Sequence, residues 1–325
     1  MQGLVASPAT ARGRASICAL TMSEIPAEHA RVTVRRVGMC GTDVGIVRKG
    51  RPVIPGDVVL GHEIFGVLDD GTRVVVDPFI TCASCDACAR GESNLCNSLE
   101  IVGVHRDGGF APYVDVPAHQ ILPVPDSVSD VQASVVEPLA TALHAWRRVT
   151  VPMERIGIIG AGAIGLSMVA IAKAHGVSVD ISDIDEAMLA HARDYGVSAA
   201  GHSLTHNDYD AVFECVGLAA TRSCAVEATR AGGATVLVGL ADPRIDVEGR
   251  AVVTFQRALL GSFGYTHEDM VDALALAGTV DPRWVSDHTL EELLDVLTGA
   301  RPLAEGKVKA QFVAPGADPK ATKGN

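Results

Sequence analysis

Four cysteines fall within fifteen residues, as Cys82-x2-Cys85-x2-Cys88-x7-Cys96. Thiolates are soft ligands, zinc takes four of them in a tetrahedron, and one short looped segment can supply the whole set. A site closed by four sulfurs leaves no position for water, so the chemistry it implies is structural. Four unconnected thiols at this density would be an oxidation hazard, which favours a metal over chance clustering.

A second set of candidate ligands is scattered. Cys40 lies in Gly38-Met-Cys-Gly-Thr-Asp43, which reads as turn-like, and His62 and Glu63 lie in Leu60-Gly-His-Glu63. On spacing alone, such a cysteine as Cys40 is more often a buried small hydrophobe, and such a histidine as His62 more often a core or surface residue. Glu137 is odder, because it stands among Val135, Val136, Leu139 and Ala140. A carboxylate in such apolar surroundings needs a partner, and a metal ion is one candidate.

The segment Ile158-Ile-Gly-Ala-Gly-Ala-Ile-Gly165 carries Gly160-x-Gly162-x-x-Gly165 between a predicted strand and a predicted helix. In a dinucleotide-binding unit the first glycine makes the tight turn, the second admits the pyrophosphate, and the third lets helix and strand pack closely. Ala163 and Ile164 then open the helix whose free N–H groups and dipole would face the diphosphate. Asp183, 23 residues after Gly160, ends the next strand and suits a carboxylate accepting from the adenosine ribose hydroxyls. It would repel a 2′-phosphate, and the flanking Ile184 and Asp185 offer no arginine, so NAD is favoured over NADP. The alternative is that the glycines only make a turn and Asp183 only caps the helix containing Glu186.

These residues need elements to carry them. The first half has short Val-rich runs at 31–35, 58–60 and 72–77 joined by Gly and Pro, which read as strands and turns. From 131 to 148 apolar residues recur at helical spacing, and Pro138 should kink or restart that helix. Strands are then predicted at 156–159, 177–182, 211–216 and 234–239, and helices at 163–174, 186–195 and 219–230. That alternation implies a parallel sheet covered by helices. Helices at 268–276 and 290–297 and a strand at 307–313 follow, and 315–325 reads as a polar tail.

Composition limits the alternatives. A chain of 325 residues suggests two domains. With 48% apolar but only 4% aromatic residues, the core must be aliphatic. The net charge of 27 − 39 = −12 argues against nucleic acid or an anionic membrane surface as partner. The longest uncharged stretch near the middle, 156–172, has four glycines in its first ten residues and suits a strand, turn and helix better than a membrane span. The start lacks the pattern of a secretory signal, and clustered cysteines suit a reducing compartment, so the cytoplasm is expected. Cys18, Cys215 and Cys224 have no metal spacing and are expected to be buried.

Gly38-x-Cys40-Gly-Thr-Asp43, Gly61-His-Glu63, the four-cysteine run, Glu137-Pro-Leu and Gly160-Ala-Gly-Ala-Ile-Gly165 together resemble the zinc-dependent medium-chain alcohol and polyol dehydrogenases, from about residue 31 to 313. The resemblance implies an α/β chain with a GroES-like β-rich catalytic domain, 1–139 and 263–325, holding a structural zinc lobe at 80–98. It implies a Rossmann doubly wound parallel-sheet domain at 140–262, with the active site in the cleft. Cys40 and His62 would be catalytic zinc ligands, with Glu63 or Glu137 completing the shell and the two carboxylates alternating as cofactor or substrate moves through. Cys82, Cys85, Cys88 and Cys96 would hold one structural zinc. Thr141, Gly217, Val238 and Phe263 would line the nicotinamide end. Glu at 137, where simple alcohol dehydrogenases carry Cys, points to the polyol branch.

One departure stands out: where the family often has a proton-relay histidine, Cys40-Gly-Thr-Asp-Val-Gly45 has glycine. The proton would leave through Thr42 and water, or through Glu63 or Glu137. The expected reaction is NAD-dependent oxidation of a secondary hydroxyl on a polyol, sugar or cyclitol, a small polyhydroxylated substrate. A hydroxy amino acid or amino-sugar precursor is the enzymatic alternative; its carboxylate would call for an arginine such as Arg51 or Arg106. A zinc- and NAD-binding protein of low turnover is the alternative of another class. His144 could face the cleft, and a homodimer or homotetramer is expected, with an edge strand of the Rossmann sheet pairing across the interface.

Overall fold

The computed structural model describes residues 1–7, 14–21, 23–50, 56–303 and 307–317. Arg51 and the tail beyond 317 lie outside the described residues. The chain falls into two compact units, one of Met1–Glu137, Thr266–Gly278 and Pro282–Asn325, the other of Pro138–Tyr265 and Thr279–Asp281. The sequence reading put the divisions after 139 and 262; the contacts put them after Glu137 and Tyr265.

The first unit is built around the long strand His29–Gly38. Along one side it pairs antiparallel with Glu63–Val67, which pairs in turn with Arg73–Val76 and, beyond it, Ile121–Pro123. On its other side the strand pairs with Tyr113–Pro117 near its start and with Lys309–Val313 near its end. Val285–His288 lies parallel to Lys309–Val313. The last residue, Gly38, is therefore in register with both Glu63 and Gln311, which brings three distant stretches of chain to one place. Alternate residues of these strands supply the core: Val32, Val34, Val37, Ile64, Val74, Val76, Ala310 and Phe312 are all at most 2% exposed. The core is mainly aliphatic, as the composition requires, with Phe110 and Phe312 packed into it.

Two elements in this unit depart from the sequence reading. The stretch read as turn-like is the start of a helix, Gly41–Lys49, with Cys40 as its N-cap. Asp43 makes the difference, because its carboxylate accepts the Cys40 N–H at 2.8 Å and satisfies a donor the helix leaves free. The opening residues, which carried no clear signal, form the paired strands Gln2–Ser7 and Arg14–Ala19.

The helix restarts just before Pro138. A short helix, Asp130–Ala133, ends at Ser134, and a second runs over Val136–Arg147. Pro138 sits in the first turn of the second helix, where a missing N–H costs nothing.

The second unit is a six-stranded parallel sheet. Numbering its strands along the chain as Arg155–Ile159, Ser178–Ser182, Ala199–Gly201, Tyr209–Glu214, Thr229–Leu237 and Ala258–Gly261, the spatial order is 3-2-1-4-5-6. That is the order of a doubly wound dinucleotide-binding sheet, whose ligand crevice opens at the carboxyl ends of strands 1 and 4. The helix Ala163–Ala174 has the predicted bounds. Cys18 and Cys215 are partly exposed and Cys224 is exposed, so the expectation of burial fails for all three. Among the described residues no helix is long and apolar enough to cross a membrane.

Candidate functional site

The helix start at Cys40 and the strand start at Glu63 bring the scattered ligands together. One ligand atom from each of Cys40, His62 and Glu63 lies within 4.8 Å of the others, and His62 and Glu63 are buried. Beneath them Asp43 is 0% exposed, with Oδ1 3.8 Å from His62 Nδ1. Neither of those two atoms has a hydrogen-bond partner. Burial pushes the Asp43 carboxyl up. Burial also opposes protonation of His62, but the charges of Cys40 and Asp43 outweigh it and hold the imidazole well above its ordinary value. A cysteine sulfur, an imidazole and a carboxylate brought to one point are a donor set that fits zinc.

Glu63 has a second partner. Lys309 Nζ, 4% exposed, stands 2.7 Å from one Glu63 oxygen and 2.6 Å from the other, and donates to the Met39 carbonyl at 3.1 Å. Burial would lower the Lys309 pKa, yet Glu63 and Cys40 outweigh it and the ammonium is held above its usual range. The pair fits because residue 38 is glycine. A Cβ there would come within 1.9 Å of Glu63 Oε2 and 2.7 Å of Lys309 Cε.

Glu137, the second residue of its helix, is 9% exposed and lies outside the three-residue group. Its charge nonetheless acts on both His62 and Lys309. Thr42 is half-buried in the first turn of the helix that Cys40 caps. Gly45 is buried in the same helix, and its carbonyl accepts the N–H of Gly50.

The four clustered cysteines converge. Their sulfurs all lie within 4.8 Å of one another, with Cys82–Cys96, Cys85–Cys88 and Cys85–Cys96 at 3.5, 3.6 and 3.9 Å. A tetrahedron with bonds of ~2.3 Å has edges of about 3.8 Å, so the spacing fits one zinc. Backbone N–H groups of Ser84 and Cys85 lower the Cys82 thiol to about 6. Burial and the neighbouring thiols raise Cys88 to about 11.

In the second unit the glycine loop has the geometry its sequence predicts. Gly160 has φ +101°, and a Cβ on Gly165 would meet the Gly160 carbonyl at 1.9 Å. Gly162 has nothing within 4 Å of its Cβ position, which leaves the helix N-terminus open to a ligand. Asp183 accepts the Ala161 N–H at 2.7 Å and the Asp185 N–H at 3.0 Å. Capping of the following helix falls to Asp185, which accepts from Ala187, so Asp183 is tied to the glycine loop instead.

At the end of strand 4, Gly217 has φ +88°, and its Cβ position meets the Gly239 backbone at 2.3 Å. Only glycine permits that approach. Val238 donates its N–H to the Glu214 carbonyl, Thr141 is half-buried, and Phe263 is 44% exposed.

Sequence reasoning missed several groups. Asp43 could have been found, since it sits in the quoted motif three residues past Cys40. Lys309 and Glu214 had no local signal. Buried Glu214 accepts from the N–H groups of Val216 and Gly217 and from the Thr221 hydroxyl, and so fixes the loop after strand 4. Arg106, a candidate for binding a substrate carboxylate, is half-exposed and paired with Glu100. His144 is half-buried.

Comparison with known proteins agrees with this geometry. Residues 26–126 match the family model of the alcohol dehydrogenase GroES-like domain, and residues 163–279 that of the zinc-binding dehydrogenases. The chain is 33% identical to D-altritol 5-dehydrogenase of Agrobacterium fabrum, over 93% of this chain and 97% of that protein. It is also 33% identical to L-galactonate-5-dehydrogenase of Escherichia coli, over 75% of this chain and 79% of that one. A zinc-binding dehydrogenase of Sinorhizobium meliloti, solved with NADP, superposes with a TM-score of 0.86 at 28% identity, covering 96% of this chain and all of that chain. With a GroES-like unit, a Rossmann unit and relatives of these kinds, the chain belongs to the zinc-binding medium-chain dehydrogenases, the family of the alcohol and polyol dehydrogenases.

Proposed function

We propose that this protein is an NAD-dependent zinc dehydrogenase that oxidises a secondary hydroxyl of a polyol, sugar, sugar acid or cyclitol. The observation that carries the reading is the convergence of partly exposed Cys40 with buried His62 and Glu63, in a chain that also places Glu137 in the same unit. The relatives named for D-altritol and L-galactonate support the substrate class.

Cys40 and His62, with Glu63 or Glu137, would hold a catalytic zinc, and the four clustered cysteines a structural one. When bound, the catalytic zinc supplies Lewis acidity toward the substrate hydroxyl, and NAD supplies the hydride acceptor. The protein does the rest. Asp43, 3.8 Å from His62 Nδ1, balances the charge of the ring. Lys309 holds Glu63 against the strand and limits its freedom. Thr42 takes the hydroxyl proton and passes it to water, since Gly45 offers no imidazole for a relay. Gly160, Gly162 and Gly165, with Ala163 and Ile164, cradle the dinucleotide diphosphate, and Asp183 accepts from the ribose. Asp183 favours NAD, although the Sinorhizobium meliloti relative was solved with NADP. Gly217, Val238, Phe263 and Thr141 serve the nicotinamide end.

The edge strand Ala258–Gly261, where Leu259 is 37% exposed, suits pairing with a second copy in a homodimer or homotetramer. Thiols gathered for metal rather than for disulfides suit the cytoplasm.

The test is NADH formation by the zinc-loaded protein against polyols, sugars, sugar acids, cyclitols, hydroxy amino acids and simple alcohols, with NAD and NADP in parallel. Turnover confined to polyhydroxylated compounds with NAD is the expected result. Silence across the panel with two zinc ions bound would overturn it in favour of the low-turnover reading.

A further inference from the structure

The strand Lys309–Val313 carries two buried polar side chains on one face, Lys309 and Gln311, while Ala310 and Phe312 enter the apolar core on the other. Lys309 holds Glu63. Gln311, 0% exposed, reaches a different target. Its Nε2 donates to Asp287 Oδ1 at 2.5 Å, and its Oε1 accepts from the Ser134 hydroxyl at 2.6 Å. The amide cannot be turned round, because Asp287 can only accept and also receives Arg36 Nη1 at 2.8 Å. Arg36 is itself buried, so the chain Arg36–Asp287–Gln311–Ser134 is fixed at its far end.

Ser134 closes the short helix Asp130–Ala133, and its Oγ also lies 2.8 Å from the Val131 carbonyl, so its single proton is shared between that carbonyl and Gln311 Oε1. Three residues later comes Glu137, after Val135 and Val136, both 0% exposed. The junction between the two helices is thus tied to the strand through the Ser134–Gln311 hydrogen bond. Gly38, in register with Gln311, contributes by leaving room for the Glu63–Lys309 pair.

We infer that Gln311 is a positioning residue of the candidate metal centre: through Ser134 it sets Glu137 at the centre while Lys309, two residues earlier on the same strand, restrains Glu63. The inference rests on the reading given above of Cys40 and His62, with Glu63 or Glu137, as a metal site. A neutral amide suits the task, since it passes on a fixed orientation without adding charge.

The test is Co2+ titration of the chelator-treated full chain, following the absorption of the single-thiolate centre separately from that of the four-thiolate site. Gln311→Met should weaken Co2+ at the single-thiolate centre by tenfold or more and shift its d–d bands, within the range found when outer-shell partners are removed. The four-thiolate site should be unchanged. Ser134→Ala, which removes the same contact with little change in volume, should act in the same direction and serves if Gln311→Met fails to fold. Glu137→Gln should reproduce the spectral shift, and Gln311→Met added to it should cause no further loss. Wild-type affinity and bands in both Gln311→Met and Ser134→Ala, or losses that multiply in the double variant, would overturn the inference. No substrate enters this measurement, so an inactive enzyme with a normal titration would sink the polyol reading and leave this one standing.

Discussion

Lys309 Nζ stands 2.7 and 2.6 Å from the two oxygens of Glu63, a residue 246 positions earlier in the chain. Both side chains are buried, at 4% and 1% exposure. Removing one partner of such a pair leaves a charge with no water to receive it. Lys309→Met should therefore destabilise the protein by about 3–5 kcal/mol in chemical denaturation. Adding Glu63→Gln should recover most of that loss. A loss within the range of an exposed pair, below about 1 kcal/mol, would contradict the burial.

The glycine loop separates packing from binding. Gly165→Ala drives a methyl group into the Gly160 carbonyl, so both stability and NAD binding should fall, the former by about 1–3 kcal/mol. Gly162 has an ordinary φ of −74° and open space at its Cβ position. Gly162→Ala should leave the melting temperature nearly unchanged yet weaken NAD by tenfold or more in calorimetric titration. Unchanged NAD affinity in Gly162→Ala would remove the diphosphate from this loop.

Metal removal should expose the two thiol sites in sequence. The four-cysteine lobe supplies all its ligands from one short segment, so a strong chelator should lower the melting temperature and bring four further thiols into reaction with a colorimetric reagent. Cys40→Ser should release one zinc and abolish turnover while the lobe keeps its metal. A Cys40→Ser protein with both zinc ions retained would refute the catalytic assignment.

His267 and Asp77 give a pH dependence. His267 Nδ1 lies 2.7 Å from the buried Asp77 carboxylate, and that hydrogen bond, opposed by partial burial, raises the imidazole pKa. A raised histidine stabilises the fold below its unfolded pKa of about 6.5, and the contribution is lost as pH rises through the higher folded value. His267→Gln should thus cost more at pH 6 than at pH 9. The side chain is 52% exposed, so the difference should stay below about 1 kcal/mol. Equal cost at both pH values would show that the pair contributes no charge interaction.

What the sequence determined by itself was local. Four cysteines within fifteen residues, and a glycine loop between a strand and a helix, declare their chemistry because all the atoms involved come from one short stretch. The parallel sheet was legible for the same reason, since each strand–helix step repeats a periodic pattern. Motif order also brought Cys40, His62, Glu63 and Glu137 to notice.

Tertiary structure decided what those residues face. The pairing of Glu63 with Lys309, the space left by Gly38 and the chain from Arg36 to Ser134 all depend on strand register across hundreds of residues. Register is set by which apolar faces meet in the core, a property no local window contains. Even the helix after Cys40 was hidden, because it starts on a single Asp43 hydrogen bond inside a stretch whose glycines read as a turn.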